Sequence, residues 1–134
     1  MSRLLFLLTS VVLTSASFCA FTNSYSNAVM AGEFLYVSGQ IPIDPETGRM
    51  IQGDIEVLTN AVLDNIEHIL RCKGFKMKQV VKTQVYLSDV RDYQGMDAAY
   101  ASRFDFPHPP ARDVVEVSNL LNNARIEISC IAHR

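Results

Sequence analysis

The order of hydrophobic periods along this chain predicts an α+β domain, a mixed sheet with two helices packed on one face. Three observations carry that expectation. Residues 54–74 bring apolar side chains back every three or four positions, the period of an amphipathic helix. Residues 80–87 alternate in strict twos, the period of a strand covered on one side. The whole series then reads β, β, α, β, α, β, β, and long helices crossing between strands place both helices on one face of a mixed sheet.

The first strand is read at Val11, Val12, Leu13 and Thr14, a short β-branched run. Residues 1–17 carry a second reading, since apolar residues after Arg3 and small residues at Ser15, Ala16 and Ser17 resemble a signal peptide. Cleavage there would remove the strand and bare a sheet edge, so retention and a cytoplasmic protein are expected, with export as the alternative. The apolar stretch is too short, and too broken by Thr and Ser, to span a membrane.

Gly32-Glu33 supplies a turn, and residues 34–40 follow as a strand rich in aromatic and β-branched side chains. Pro42, Pro45 and Gly48 end it in a surface turn. Asp54 is placed to cap the long helix, whose buried stripe is Ile55, Leu58, Val62, Ile66, Ile69 and Leu70, and Gly74 to close it in the left-handed conformation. In the next strand Val81, Thr83, Val85 and Leu87 are expected to face the core, against Val80, Lys82, Gln84 and Tyr86. Residues 89–106 form a weaker helix with Met96, Ala99, Tyr100 and Phe104 inward, stopped by Pro107, Pro109 and Pro110. Residues 114–117 and 125–132 are the last strands, joined by an Asn-rich turn over 119–123.

Length and charge narrow the function. The 134 residues fit one domain, residues 1–134, and 49% apolar content gives enough core material while leaving surface that a subunit interface can absorb. Twelve basic against fourteen acidic side chains, without a basic cluster, argue against nucleic-acid binding. Cys19, Cys72 and Cys130 show no C-x-x-C spacing and are expected as buried, reduced thiols. His68, His108 and His133 are scattered, so no metal site is expected.

Four places carry chemistry. Arg112 follows the rigid Pro107-His108-Pro109-Pro110 segment at the mouth of a strand; its planar fork matches a carboxylate or phosphate, and an ordinary solvated arginine fits the same position. Glu127, between Ile126 and Ile128, is either a partly shielded carboxyl suited to moving protons near neutral pH or a solvent-facing residue; alternation leaves both open. Tyr25 sits among small polar residues in a loop, where its ring can wall a pocket and its hydroxyl can hold a water. Ser38-Gly39-Gln40 at a strand end offers backbone donors and a glycine that leaves room for a ligand.

These segments, in this order, resemble the Rid/YjgF family, also called the L-PSP endoribonuclease-like family, from about Val11 to the C-terminus. The family's G-P-Y-S-x-A loop corresponds to Asn23-Ser24-Tyr25-Ser26-Asn27-Ala28, and its V/T-S-G-Q strand end to Val37-Ser38-Gly39-Gln40. Its P-A-R-x-x-V-E-V block corresponds to Pro110-Ala111-Arg112-Asp113-Val114-Val115-Glu116-Val117, and its closing strand to Ile126-Glu127-Ile128-Ser129-Cys130-Ile131-Ala132. Gly53-Asp54-Ile55 opens the long helix as in family members.

The resemblance implies a chorismate-mutase-like fold, a homotrimer with sites in the clefts between subunits, and hydrolysis of 2-iminobutanoate or 2-iminopropanoate to the 2-oxo acid and ammonia without a cofactor. By matching positions it implies that Arg112 binds the carboxylate, Glu127 handles the attacking water and Tyr25 lines the pocket. Ser38 and the backbone near Gly39 and Val114 would orient the imine. Three departures from the family's pattern stand out: Asn23-Ser24 replaces Gly-Pro before the tyrosine, Val114 replaces a common cysteine, and Asp97 puts a carboxylate where an amide is usual. If Asp97 reaches the cleft it disfavours an anionic substrate. The competing functions are a ribonuclease or translation inhibitor, and a non-catalytic trimer that binds small carboxylates or acts as a chaperone.

Overall fold

The computed structural model describes residues 24–134. The expected strand at residues 11–14, the signal-like segment and Cys19 lie outside them. A five-stranded sheet runs in the order β1-β2-β5-β3-β4, built from β1 (Ala28–Ala31), β2 (Phe34–Gln40), β3 (Val80–Leu87), β4 (Ala111–Glu116) and β5 (Ile126–His133). All neighbours pair antiparallel except β3 and β4, which are parallel. Helices α1 (Ile55–Cys72) and α2 (Tyr93–Arg103) make the β2–β3 and β3–β4 crossovers, so the mixed sheet with two helices is observed.

β1 has no counterpart in the sequence reading. Its four residues include a single β-branched side chain, Val29, and pairing makes them a strand: Ala31 stands opposite Phe34 across a two-residue turn in which Gly32 has φ 61°. A glycine at the first turn position and an ordinary residue at the second is the turn that matches strand twist. The signal in the sequence is the Gly32-Glu33 turn itself, which implies a strand arm on each side.

α1 forms where its period places it. Asp54 accepts the backbone N–H of Val57 at 2.9 Å, filling one of the donors a helix leaves open at its start. At the other end Gly74 has φ 77°, the N–H of Phe75 bonds the carbonyl of Leu70 at 2.9 Å, and Phe75 is buried below the last turn. All six stripe residues are buried. α2 packs against α1 at close range, and a Cβ at Gly95 would lie 2.5 Å from Ile55 Cγ2. Arg103 fixes the pair further by reaching Asp64 at 2.7 Å and Glu67 at 2.9 Å on α1.

Two boundaries differ from expectation. A register shift between Val80 and Lys82 turns Val80 into the core at 4% exposure and Val81 out at 45%, the reverse of simple alternation. An extra residue in one strand of a pair exchanges the faces of what precedes it. β4 begins at Ala111, three residues earlier than expected, because pairing with Lys82 and Thr83 extends it. Arg112 is therefore inside a strand and not at its mouth. Among the described cysteines, Cys130 is buried and free, whereas Cys72 is exposed and disulfide-bonded, against the expectation of reduced thiols throughout.

The two faces of the sheet are unlike. Leu35, Val37, Val85, Leu87, Ile126 and Ile128 point to the helices and are buried. The other face is open and carries Val29, Phe34, Tyr36 and Val115, all more than 40% exposed. No helix among the described residues is long and apolar enough to cross a membrane.

Candidate functional site

A cavity of about 490 Å³ at the end of the sheet is lined by Tyr25, Ser38, Gly39, Gln40, Asn65 and Glu127, with Asn122 from the loop before β5. The irregular pairing of β2 with β5 between Val37 and Gln40 opens this wall. Asn65 on α1 donates to the carbonyls of Ile43 at 2.9 Å and Ile41 at 3.4 Å, holding the chain after β2 along the other side. Sequence reasoning missed Asn65. Its signal was a lone amide within the apolar stripe of α1, a buried polar group that must find partners.

The loop carrying Tyr25 is tied to β2. The Ser38 hydroxyl donates to the Ser26 carbonyl at 2.7 Å, and the Ser38 N–H donates to the Asn27 carbonyl at 2.9 Å. The hydroxyl of Ser38 thus serves the loop, and the ring of Tyr25 stands 57% exposed at the cavity.

Glu127 projects from β5 onto the Cα of Gly39, and a Cβ at Gly39 would overlap Glu127 Oε1. Only glycine leaves that approach open. No ion pair holds the carboxyl among the described residues, and burial alone raises its pKa above the ordinary glutamate range. The two readings left open by the sequence resolve to a half-buried carboxyl lining a cavity.

Arg112 and Val114 are elsewhere. Arg112 pairs with Thr83 and Val114 with Val85, both buried residues of the helix-covered side, and Val114 packs on the core. Glu127 pairs with Tyr86, on the alternate side of β3. The intervening strand β3 and opposite faces of the sheet therefore separate Arg112 from Glu127 within one chain. The guanidinium lies over the ring of Tyr100 at 4.5 Å and near that of Tyr93 at 5.9 Å, and Nη2 reaches Tyr93 Oη at 3.3 Å and Asp97 Oδ1 at 2.7 Å. The hydroxyls of Tyr100 and Thr83 share a buried 2.7 Å hydrogen bond that fixes the ring beneath it. Arg112 is neither a free surface arginine nor an empty fork: it is stacked, 21% exposed, and paired with a carboxylate of α2. Burial pushes the Cys130 thiol up to about 12, which leaves it an inert core group. Among the described residues no group of three His, Cys, Asp or Glu side chains is arranged to hold a metal.

Comparison with known proteins fits this geometry. The family model described as Endoribonuclease L-PSP matches residues 16–134. A RutC family protein of Pyrococcus horikoshii is 46% identical over 110 residues, 82% of this chain and 86% of that protein. Reactive Intermediate Deaminase A, chloroplastic, of Arabidopsis thaliana is 39% identical over 81% of this chain and 57% of its own length. The crystal structure of the YjgF gene product of E. coli superimposes with a TM-score of 0.79 at 35% identity, over 87% of this chain and 91% of that one. The matching of nearly all of its described strands and helices by this family makes the chain a member of the Endoribonuclease L-PSP family, the Rid/YjgF proteins.

Proposed function

We propose that the protein hydrolyses 2-imino acids to 2-oxo acids and ammonia, at sites built between copies of the chain. The observation that carries this reading is the half-buried Glu127 carboxyl lying against the bare Cα of Gly39, with its pKa raised by burial alone. A carboxyl made more basic by burial accepts a proton from water as the water attacks. The water oxygen becomes the keto oxygen, the carbon–nitrogen bond breaks, and the protonated imine nitrogen leaves as ammonium with both water protons. No redox step occurs, so the reaction calls for no redox cofactor. The Arabidopsis relative named as a reactive intermediate deaminase supports the reaction class.

Arg112 supplies the carboxylate grip from another copy, since its own chain keeps it from Glu127. The open apolar face with Val29, Phe34, Tyr36 and Val115 supplies the surface for that contact, and a homotrimer is the assembly we expect. Tyr25, Ser38 and Gly39 then face Arg112 and Val114 of a neighbour, in a cytoplasmic enzyme that acts on a small imino acid. The charge balance of −2 gives a ribonuclease reading no support.

Ammonia release from iminopropanoate generated in situ tests the reaction. Arg112→Ala and Glu127→Ala should each be inactive alone, and mixing them through a cycle of dissociation and reassembly should restore part of the activity. Absence of restoration, or a monomer mass by light scattering, defeats the shared site.

A further inference from the structure

We infer that Asp97 is a specificity-determining residue, selecting ligands that carry a positively charged nitrogen beside their carboxylate over ligands that are carboxylates alone. The inference rests on Arg112 as the carboxylate grip and adds the identity of the charge it favours.

Asp97 Oδ1 lies 2.7 Å from Arg112 Nη2, and the side chain of Asp97 is 42% exposed against 21% for Arg112, so a ligand that reaches the guanidinium from solvent meets the carboxylate beside it. Tyr100 and Tyr93 lie against the guanidinium, and the Tyr93 hydroxyl takes a further contact on the same nitrogen. The arginine therefore has little freedom to swing away from Asp97 when a ligand arrives. The receptor is an ion pair of no net charge, not a lone cation. A simple carboxylate binding to the remaining guanidinium donors is set close to the Asp97 carboxylate, and the repulsion of two like charges a few ångströms apart offsets part of the gain. A zwitterion escapes that penalty, because its nitrogen meets the carboxylate while its own carboxylate meets the guanidinium.

The two sides of the proposed reaction differ in this property. A 2-imino acid protonated on nitrogen is a zwitterion, and the 2-oxo acid it yields is a plain anion. Asp97 then favours substrate over product at one and the same arginine, so that product leaves readily.

The test uses the full-length protein and two stable ligands, 2-aminobutanoate as the zwitterion and 2-oxobutanoate as the anion, measured by calorimetry at neutral pH. Asp97→Asn is nearly isosteric at a partly exposed site, and its melting curve checks that the fold is kept. The variant should bind 2-oxobutanoate about tenfold tighter than wild type, the change expected from removing one nearby like charge. Its affinity for 2-aminobutanoate should stay level or fall, reversing the preference. Equal changes for both ligands, or none, overturn the inference while leaving Arg112 as the carboxylate site. If Arg112→Ala binds both ligands as wild type does, the site itself is misplaced, and the two failures are thereby told apart.

Discussion

The helix-covered and open faces of the sheet are made from the same five strands and do different work. On the covered face, side chains from β2, β3 and β5 meet the stripe of α1, and the residues are nearly all large, apolar and buried. On the open face, apolar and polar residues are mixed: Tyr36 and Ile131 lie near Lys82, Gln84 and Ser129, and Glu127 continues the row toward the cavity. The difference teaches that the pleat divides a closed core from a mixed open surface, with Arg112 on the helix-covered side and Glu127 on the other. Each strand alternates between the two, so that core residues and outward-facing residues follow one another along it.

That division gives four expectations, from the largest effect to the smallest. Ile66→Ala on α1 removes a fully buried side chain facing the sheet and should cost about 2–5 kcal/mol in chemical denaturation, with ligand affinity unchanged in the fraction that remains folded. Arg112→Ala should cost about 2–4 kcal/mol in carboxylate binding, the loss of a charged, partly desolvated contact, and Arg112→Lys should also bind weakly because an ammonium has no fork. An unaltered binding isotherm for either would remove Arg112 from the site.

Val115→Asp places a charge on the open face and should lower the particle mass seen by light scattering while leaving far-UV circular dichroism unchanged. If the mass stays the same, that face is not the contact. The smallest effect concerns Glu127. Burial favours its protonated form in the folded chain, so its contribution to stability is complete below the ordinary glutamate pKa and is lost as pH rises through the raised value. Glu127→Gln should therefore melt slightly higher than wild type at neutral pH, with the gap closing on acidification. Turnover should fall with little change in affinity, because the charge acts as the water attacks. A gap that widens in acid would mean that the carboxylate is stabilised and not strained.

The sequence showed the covered face better than the open one. A period of 3.6 with a capping Asp54 and a closing Gly74 depends on local chemistry, and α1 follows it closely. β1 depends on a partner strand, and the Val80/Val81 exchange depends on a bulge, neither of which a single segment reveals. For the site, residue types pointed to Arg112, Glu127, Tyr25, Ser38 and Gly39. What alternation withheld was the side of the sheet: Arg112 and Glu127 belong to strands separated by β3, and their relation appears only once register is known. The contact of Glu127 with Gly39 and the grip of Asn65 on residues 41 and 43 are likewise products of tertiary approach.

The position of β4 bears on the order in which the chain assembles. It is one of the two edge strands, held by one parallel ladder to β3, and it closes a crossover through the whole of α2. Parallel pairing over such a separation repays its loop entropy late, and an edge strand with a single neighbour is the first to open. The arginine thus rides on a strand that breathes more readily than the three inner ones. A neighbouring copy laid along that edge would slow the breathing, so that assembly and the maturing of the binding site become one event.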